Sequence, residues 1–232
     1  GLAHPRARPG RPTFGVLPWH PDLWLDSEDA LDLQGRRAAA SGERTVAVVR
    51  LPRISNFTDV DALGLEPGLD VRFVSDPARL ADADLVVLPG TRSTIADLAW
   101  LRERGLDVAI QQHAAAGRPV LGICGGCQML GRRIEDPDGV EGAAGAVDSV
   151  VEGLGLLDLV TVFGREKRLA LHRPAGYEIH HGQVSGVRER GSVTGTMVHG
   201  SLEDDAARAD YLAAALDVGS GASFPAARAA RL

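Results

Sequence analysis

Apolar runs of strand length punctuate the sequence from residue 44 onward. Thr45-Val46-Ala47-Val48-Val49-Arg50-Leu51, Val71-Arg72-Phe73-Val74, Leu85-Val86-Val87-Leu88 and Val120-Leu121-Gly122-Ile123 are short and rich in valine and leucine. Residues 95–104 and 107–116, between the third and fourth runs, have the composition and apolar spacing of helices. Short continuous apolar strands alternating with helices predict an α/β fold: a mostly parallel central sheet with helices on both faces. In such a sheet, chemistry gathers beyond the carboxyl ends of the strands. The turns at Pro89-Gly90-Thr91 and at Cys124-Gly125 both fall there.

The pattern changes after residue 134. Residues 135–148 are rich in glycine, alanine and acids and have no period. Residues 157–163, 184–187 and 192–198 read as strands of an added antiparallel section. Residues 204–216 read as the last helix, with Asp204 or Asp205 as its N-cap. The tail from Gly219 reads as loose. Upstream, Phe14-Gly15-Val16-Leu17-Pro18-Trp19 and Leu23-Trp24-Leu25 form an isolated apolar stretch, and residues 26–43 read as a linker. The expected division is therefore 1–43 and 44–232.

The composition narrows the function classes. The net charge of -6 carries no basic block, which argues against a nucleic-acid partner. No apolar run approaches the roughly 20 residues of a membrane span, and no signal-peptide core is present at the N-terminus. Only two cysteines occur, Cys124 and Cys127. That usage suits a reducing cytoplasm better than a disulfide-stapled secreted fold. It also leaves a thiol free for chemistry. A zinc site would need two further ligands at suitable spacing, so no metal is expected.

Cys124 lies between an apolar strand and an expected helix, in Gly122-Ile123-Cys124-Gly125-Gly126. This is the thiol counterpart of the serine elbow, where the nucleophile stands clear of its own backbone. A helix N-terminus favours the thiolate, which is the reactive form. The Gly125 N–H points to where an oxyanion would form, and the N–H of Gly90 or Thr91 is the natural second donor. A proton carrier is also required, and the chain has seven histidines. His4, His20 and His113 stand in polar or irregular surroundings, and His172 in a loop. His199, at the end of the strand pattern Gly195-Thr196-Met197-Val198, fits best, with His180 second. The Cys-x-x-Cys spacing also admits a thiol–disulfide pair; against it, no thioredoxin-like pattern surrounds the cysteines, and Cys127 falls where a helix would face the core.

The elbow, extended to Gln128, resembles that of the class I glutamine amidotransferases, Gly-x-Cys-x-Gly-x-Gln. Residues 51–59, 88–98, 176–180 and 195–200 are similar to the cobyric acid synthase family of cobalamin biosynthesis. The resemblance implies a flavodoxin-like amidotransferase fold over residues 44–232. It implies that Cys124 attacks the side-chain amide of glutamine, that His199 carries protons, and that Gln128, Tyr177 and Glu178 line the site. Many class I enzymes carry an acid two residues after the histidine; here that position is Ser201, with Glu203 beyond it, and no third catalytic residue is assigned.

By the same resemblance, residues 1–43 are the end of an ATP-dependent synthetase domain. No phosphate-loop motif occurs in this chain, so ATP and Mg2+ are expected on that missing domain and no cofactor on this one. The implied partners are glutamine and, through the synthetase domain, a corrinoid acid. A related amidotransferase acting on a cell-wall lipid precursor is the alternative. The sequence leaves the formation of a homo-oligomer undecided.

Overall fold

The computed structural model describes residues 44–141, 150–173 and 176–230. The expected synthetase remnant and linker, residues 1–43, and with them His4 and His20, lie outside these residues.

The chain builds one six-stranded sheet first. Its strands are β1 (Arg44–Val49), β2 (Leu69–Val74), β3 (Leu85–Leu88) and β4 (Val120–Ile123), joined much later by β11 (Glu189–Arg190) and β12 (Val193–Thr196). The order across the sheet is β2-β1-β3-β4-β12-β11. All neighbours are parallel except the short edge pair β11–β12. The 2-1-3-4 order followed by a late strand is that of flavodoxin-like sheets. Val46 to Val49 and Leu85 to Leu88 are wholly buried, as expected where continuous apolar runs form central parallel strands.

Two helices, α1 (Thr94–Glu103) and α2 (Leu106–Ala115), connect β3 to β4, and α3 (Gly125–Leu130) follows β4 directly. A second sheet contains β5 (Arg133–Glu135), β6 (Val150–Glu152), β7 (Leu159–Val162) and β10 (Gln183–Gly186), in the order β10-β7-β5-β6. Only its β5–β7 pair is parallel. A separate hairpin pairs β8 (Arg168–Leu171) with β9 (Tyr177–His180). Helix α4 (Asp205–Leu216) starts on an Asp204 side chain that accepts from the Ala207 N–H at 2.8 Å, and α5 (Phe224–Ala229) ends the described chain.

Three expectations need correction. Residues 192–198 do not belong to the antiparallel section. β12 pairs in parallel with β4, Gly195 opposite Gly122 and Thr196 opposite Ile123. The strand pattern could not specify which sheet this short Val/Thr/Gly run would join. The tail from Gly219 is not loose either: α5 forms, Phe224 is buried, and the Gly221 and Ala222 N–H groups donate to Glu66. Glu66 also pairs with the fully buried Arg208 at 2.6 Å, so a buried charge pair ties the tail to the core. Finally, His113 is buried in α2, with Nε2 donating to the Pro119 carbonyl. Burial pushes its pKa down.

Candidate active site at the carboxyl edge of the sheet

Four adjacent parallel strands, β12, β4, β3 and β1, each deliver one part of the site just beyond their carboxyl ends. These parts are His199, Cys124, the Gly90–Thr91 turn, and the segment from Leu51 to Asp59.

Cys124 leaves β4 with φ 51 and ψ -109 and becomes the N-cap of α3. A side-chain-bearing residue rarely adopts a positive φ, and this costs on the order of 1–3 kcal/mol. The surroundings impose it. The Cys124 N–H donates to the Thr196 carbonyl at 2.7 Å, and its carbonyl accepts from the Gln128 N–H at 3.0 Å. The glycines make the turn possible. A Cβ on Gly122 would stand 2.5 Å from Leu130 Cδ1, and one on Gly126 2.0 Å from the Leu88 carbonyl oxygen. Helix α3 can thus lie directly on β3 and β4 only because both side chains are absent.

The two turns expected to supply oxyanion donors lie against each other. Gly125 opens α3, where first-turn N–H groups have no intrahelical acceptor. A Cβ at Gly125 would lie 2.6 Å from Thr91 Cγ2 and 3.2 Å from the Thr91 nitrogen. The two turns are therefore in contact. The Gly90–Thr91 turn is held from outside the sheet: the Gly90 carbonyl accepts from the Ser55 N–H at 2.9 Å, and Thr91 Oγ1 donates to Asp97 at 2.6 Å. Asp97 also receives the Arg53 guanidinium at 3.0 Å.

His199 is fully buried. Its ring stacks on Tyr177 at 5.3 Å between centroids, and the two residues exchange backbone hydrogen bonds of 2.9 and 2.8 Å. Its Nδ1 donates to Asp59 Oδ2 at 2.7 Å. Nε2 is buried and makes no hydrogen bond of ordinary geometry among the described residues. Burial alone would lower the imidazole pKa. Asp59, by its hydrogen bond and charge, and Cys124 likewise, instead hold it up, to about 10. Cys124 thus stands close enough to the buried ring to help hold it toward its protonated form; catalytic hydrogen bonds often tighten only when substrate binds.

The remaining candidates separate. Gln128 is buried, and its amide is engaged: Oε1 accepts from Thr94 at 2.9 Å and Nε2 donates to the His181 carbonyl at 3.2 Å. It braces the elbow against α1 and the turn between β9 and β10. Glu178 receives Arg168, His172 and His180. Burial would raise its pKa, but those hydrogen bonds, led by His180, hold it low. His180 is thus committed to Glu178 and to the Gly182 carbonyl. Cys127 is buried against Gly195, whose added Cβ would stand 2.6 Å from its sulfur, and burial pushes its thiol up to about 12. Glu203 pairs with Arg228 at 3.5 Å. Asp59, at the histidine, had no role in the sequence reading. The signal for it was its place after the carboxyl end of β1, the same rule that located Gly90 and Cys124.

The sheet order and the strand–helix elbow are those of a class I glutamine amidotransferase-like fold, and a strained cysteine beside a buried histidine is an arrangement suited to amide hydrolysis. A solved structure described as a glutamine amidotransferase shares the fold, with TM-score 0.53 over 75% of this chain and 99% of that one, at 17% identity. The family model for the CobB/CobQ-like glutamine amidotransferase domain matches residues 45–204, and the chain belongs to that family. It is 65% identical to a cobyric acid synthase of Mycolicibacterium gilvum over an alignment of 240 positions that covers 96% of this chain and 48% of that protein. It is 63% identical to the cobyric acid synthase of Mycobacterium marinum over an alignment of 241 positions, with the same coverage. The chain thus spans about half the length of these relatives.

Proposed function

We propose that this chain is the glutamine-hydrolysing part of an enzyme that amidates the side-chain carboxylates of a corrinoid acid. The observation that carries the first half is the elbow: Cys124 at φ 51 heads α3 beside the buried, Asp59-bound His199. With the Cys124 thiol proton on His199, the sulfur bonds to the side-chain amide carbon of glutamine and the carbonyl π bond opens. The resulting oxyanion takes the N–H of Gly125 and that of Gly90 or Thr91; each such donor typically contributes about 2.7–4 kcal/mol. Collapse breaks the C–N bond as His199 gives its proton to the departing nitrogen. Ammonia leaves, and a γ-glutamyl thioester remains. Water then attacks the thioester carbon, losing its proton to His199; the C–S bond breaks, the cysteine sulfur is released, and glutamate departs.

The acceptor is argued from the relatives named cobyric acid synthase. The ammonia would amidate adenosylcobyrinic acid a,c-diamide. The ATP and Mg2+ that amide formation calls for belong, in this reading, to the part of the relatives that this chain does not span.

The test uses the full-length protein supplied with glutamine, ATP, Mg2+ and the corrinoid. Glutamate release should accompany corrinoid amidation. Cys124→Ala should lose glutamine-dependent amidation while free ammonia still serves as nitrogen source. No glutamate release by the wild-type protein would sink the proposal.

A further inference from the structure

Ser201 stands two residues after His199, where many class I enzymes carry an acid, yet a carboxylate reaches the histidine from elsewhere in the chain. Asp59 is 4% exposed and spends both carboxylate oxygens on the turn that carries the imidazole. Oδ2 accepts from His199 Nδ1 and Oδ1 from the Gly200 N–H, each at 2.7 Å. Asp59 sits on a 3-10 turn, Phe57–Val60, preceded by Asn56 in the left-handed conformation, φ 49. Asn56 Oδ1 accepts from the Tyr177 hydroxyl at 3.1 Å, and Tyr177 stacks on the ring. The imidazole is therefore held at its edge by Asp59 and on its face by Tyr177. Gly90 closes another side, because a Cβ there would lie 3.0 Å from His199 Cε1.

Taking the Cys124–His199 glutaminase chemistry proposed above as given, we infer that Asp59 is the positioning acid of the site. It acts through His199. By accepting from Nδ1–H it leaves Nε2 as the nitrogen that exchanges protons with the substrate and the cysteine. The segment that carries it also holds the oxyanion turn, through Ser55 N–H to the Gly90 carbonyl and Arg53 to Asp97. One stretch after β1 thus aligns both the proton carrier and the oxyanion donors. The titratable groups facing His199 are Asp59, Cys124 and Tyr177. Glu203, the other acid near the histidine in sequence, is engaged with Arg228.

Asp59→Asn separates this role from packing. Asparagine keeps the shape but has one acceptor oxygen for two donors, His199 Nδ1–H and Gly200 N–H. With the oxygen on Gly200, the amide NH2 faces Nδ1 and forces the ring into the wrong tautomer. In the full-length protein, kcat for glutamine hydrolysis should fall about 10²–10⁴-fold while KM stays within about threefold. The alkaline limb of the pH profile should move to lower pH by at least about one unit. Asp59→Ala should regain activity with added formate, and Glu203→Gln should keep kcat within about twofold. In Asp59→Asn protein, the His199 midpoint read by nitrogen-15 NMR should fall by a similar margin, a readout that needs no turnover. An Asp59→Asn enzyme within threefold of wild-type kcat, or one with unshifted pH profile and NMR midpoint, overturns the assignment. Wild-type protein that lacks glutaminase activity but shows the NMR shift would overturn the glutaminase reading and leave Asp59 as the partner of His199.

Discussion

Gly126 rests against Leu88 so closely that a Cβ on the glycine would stand 2.0 Å from the leucine's carbonyl oxygen. The contact is between a helix and the backbone of the next strand, so neither side can yield by turning a rotamer. It sets the depth at which α3 sits, and with it the height of Cys124 above the sheet.

Gly126→Ala is the direct test of that contact. In an open helix the change would stabilise by up to about 1 kcal/mol. Here the methyl group collides with main chain, and overpacking of this kind typically costs about 1–3 kcal/mol. A lower melting temperature with a loss of glutaminase activity is expected. An alanine variant as stable and as active as wild type would show that α3 can lift off β3 at no cost.

The two cysteines should behave as different chemical species. Cys124 is 6% exposed at the head of a helix. Cys127 is fully buried, and its thiol is pushed up to about 12. Iodoacetamide should therefore label one thiol per folded chain, Cys124, and the second only after unfolding. Mass spectrometry of the labelled peptides reads the result. Cys127→Ala should keep kcat within about threefold at a small stability cost, since only one buried sulfur is removed. Equal labelling of both thiols, or equal loss of activity in both alanine variants, would instead support thiol–disulfide cycling.

His199 should still carry its second proton at pH 8. Burial opposes this, but Asp59 and Cys124 outweigh it and raise the midpoint to about 10. Nitrogen-15 shifts of labelled histidine should show both ring nitrogens protonated well above the ordinary range. The stability linkage has a fixed sign. A histidine with a raised folded pKa contributes fully below its unfolded value of about 6.5. That contribution then declines as pH rises toward 10. The stability advantage of wild type over His199→Gln should shrink across that window. An advantage that grew with pH would contradict the buried cation.

Local chemistry was the legible part. The apolar runs of β1, β3 and β4, the elbow glycines at 122 and 126, and the Asp204 cap of α4 are each decided within a few residues by burial pattern, backbone sterics and side-chain hydrogen bonding. The same local rules pointed to Cys124, to the Gly90–Thr91 turn and to the strand-end position of His199.

The sequence by itself therefore determined a parallel α/β sheet, a cysteine elbow at one strand end and a histidine at another. Only the tertiary structure decided which partners these acquire. β12 joins β4 rather than the second sheet, which brings His199 next to Cys124. Asp59 reaches His199 across 140 residues because β1 and β12 end on the same edge of one sheet. Gln128 and Glu178 become bracing groups because their polar atoms meet Thr94, His181 and Arg168 first. The physical reason is range. Strands, elbows and caps answer to neighbours along the chain, whereas hydrogen-bond partners across strand ends depend on sheet order, which no local pattern encodes.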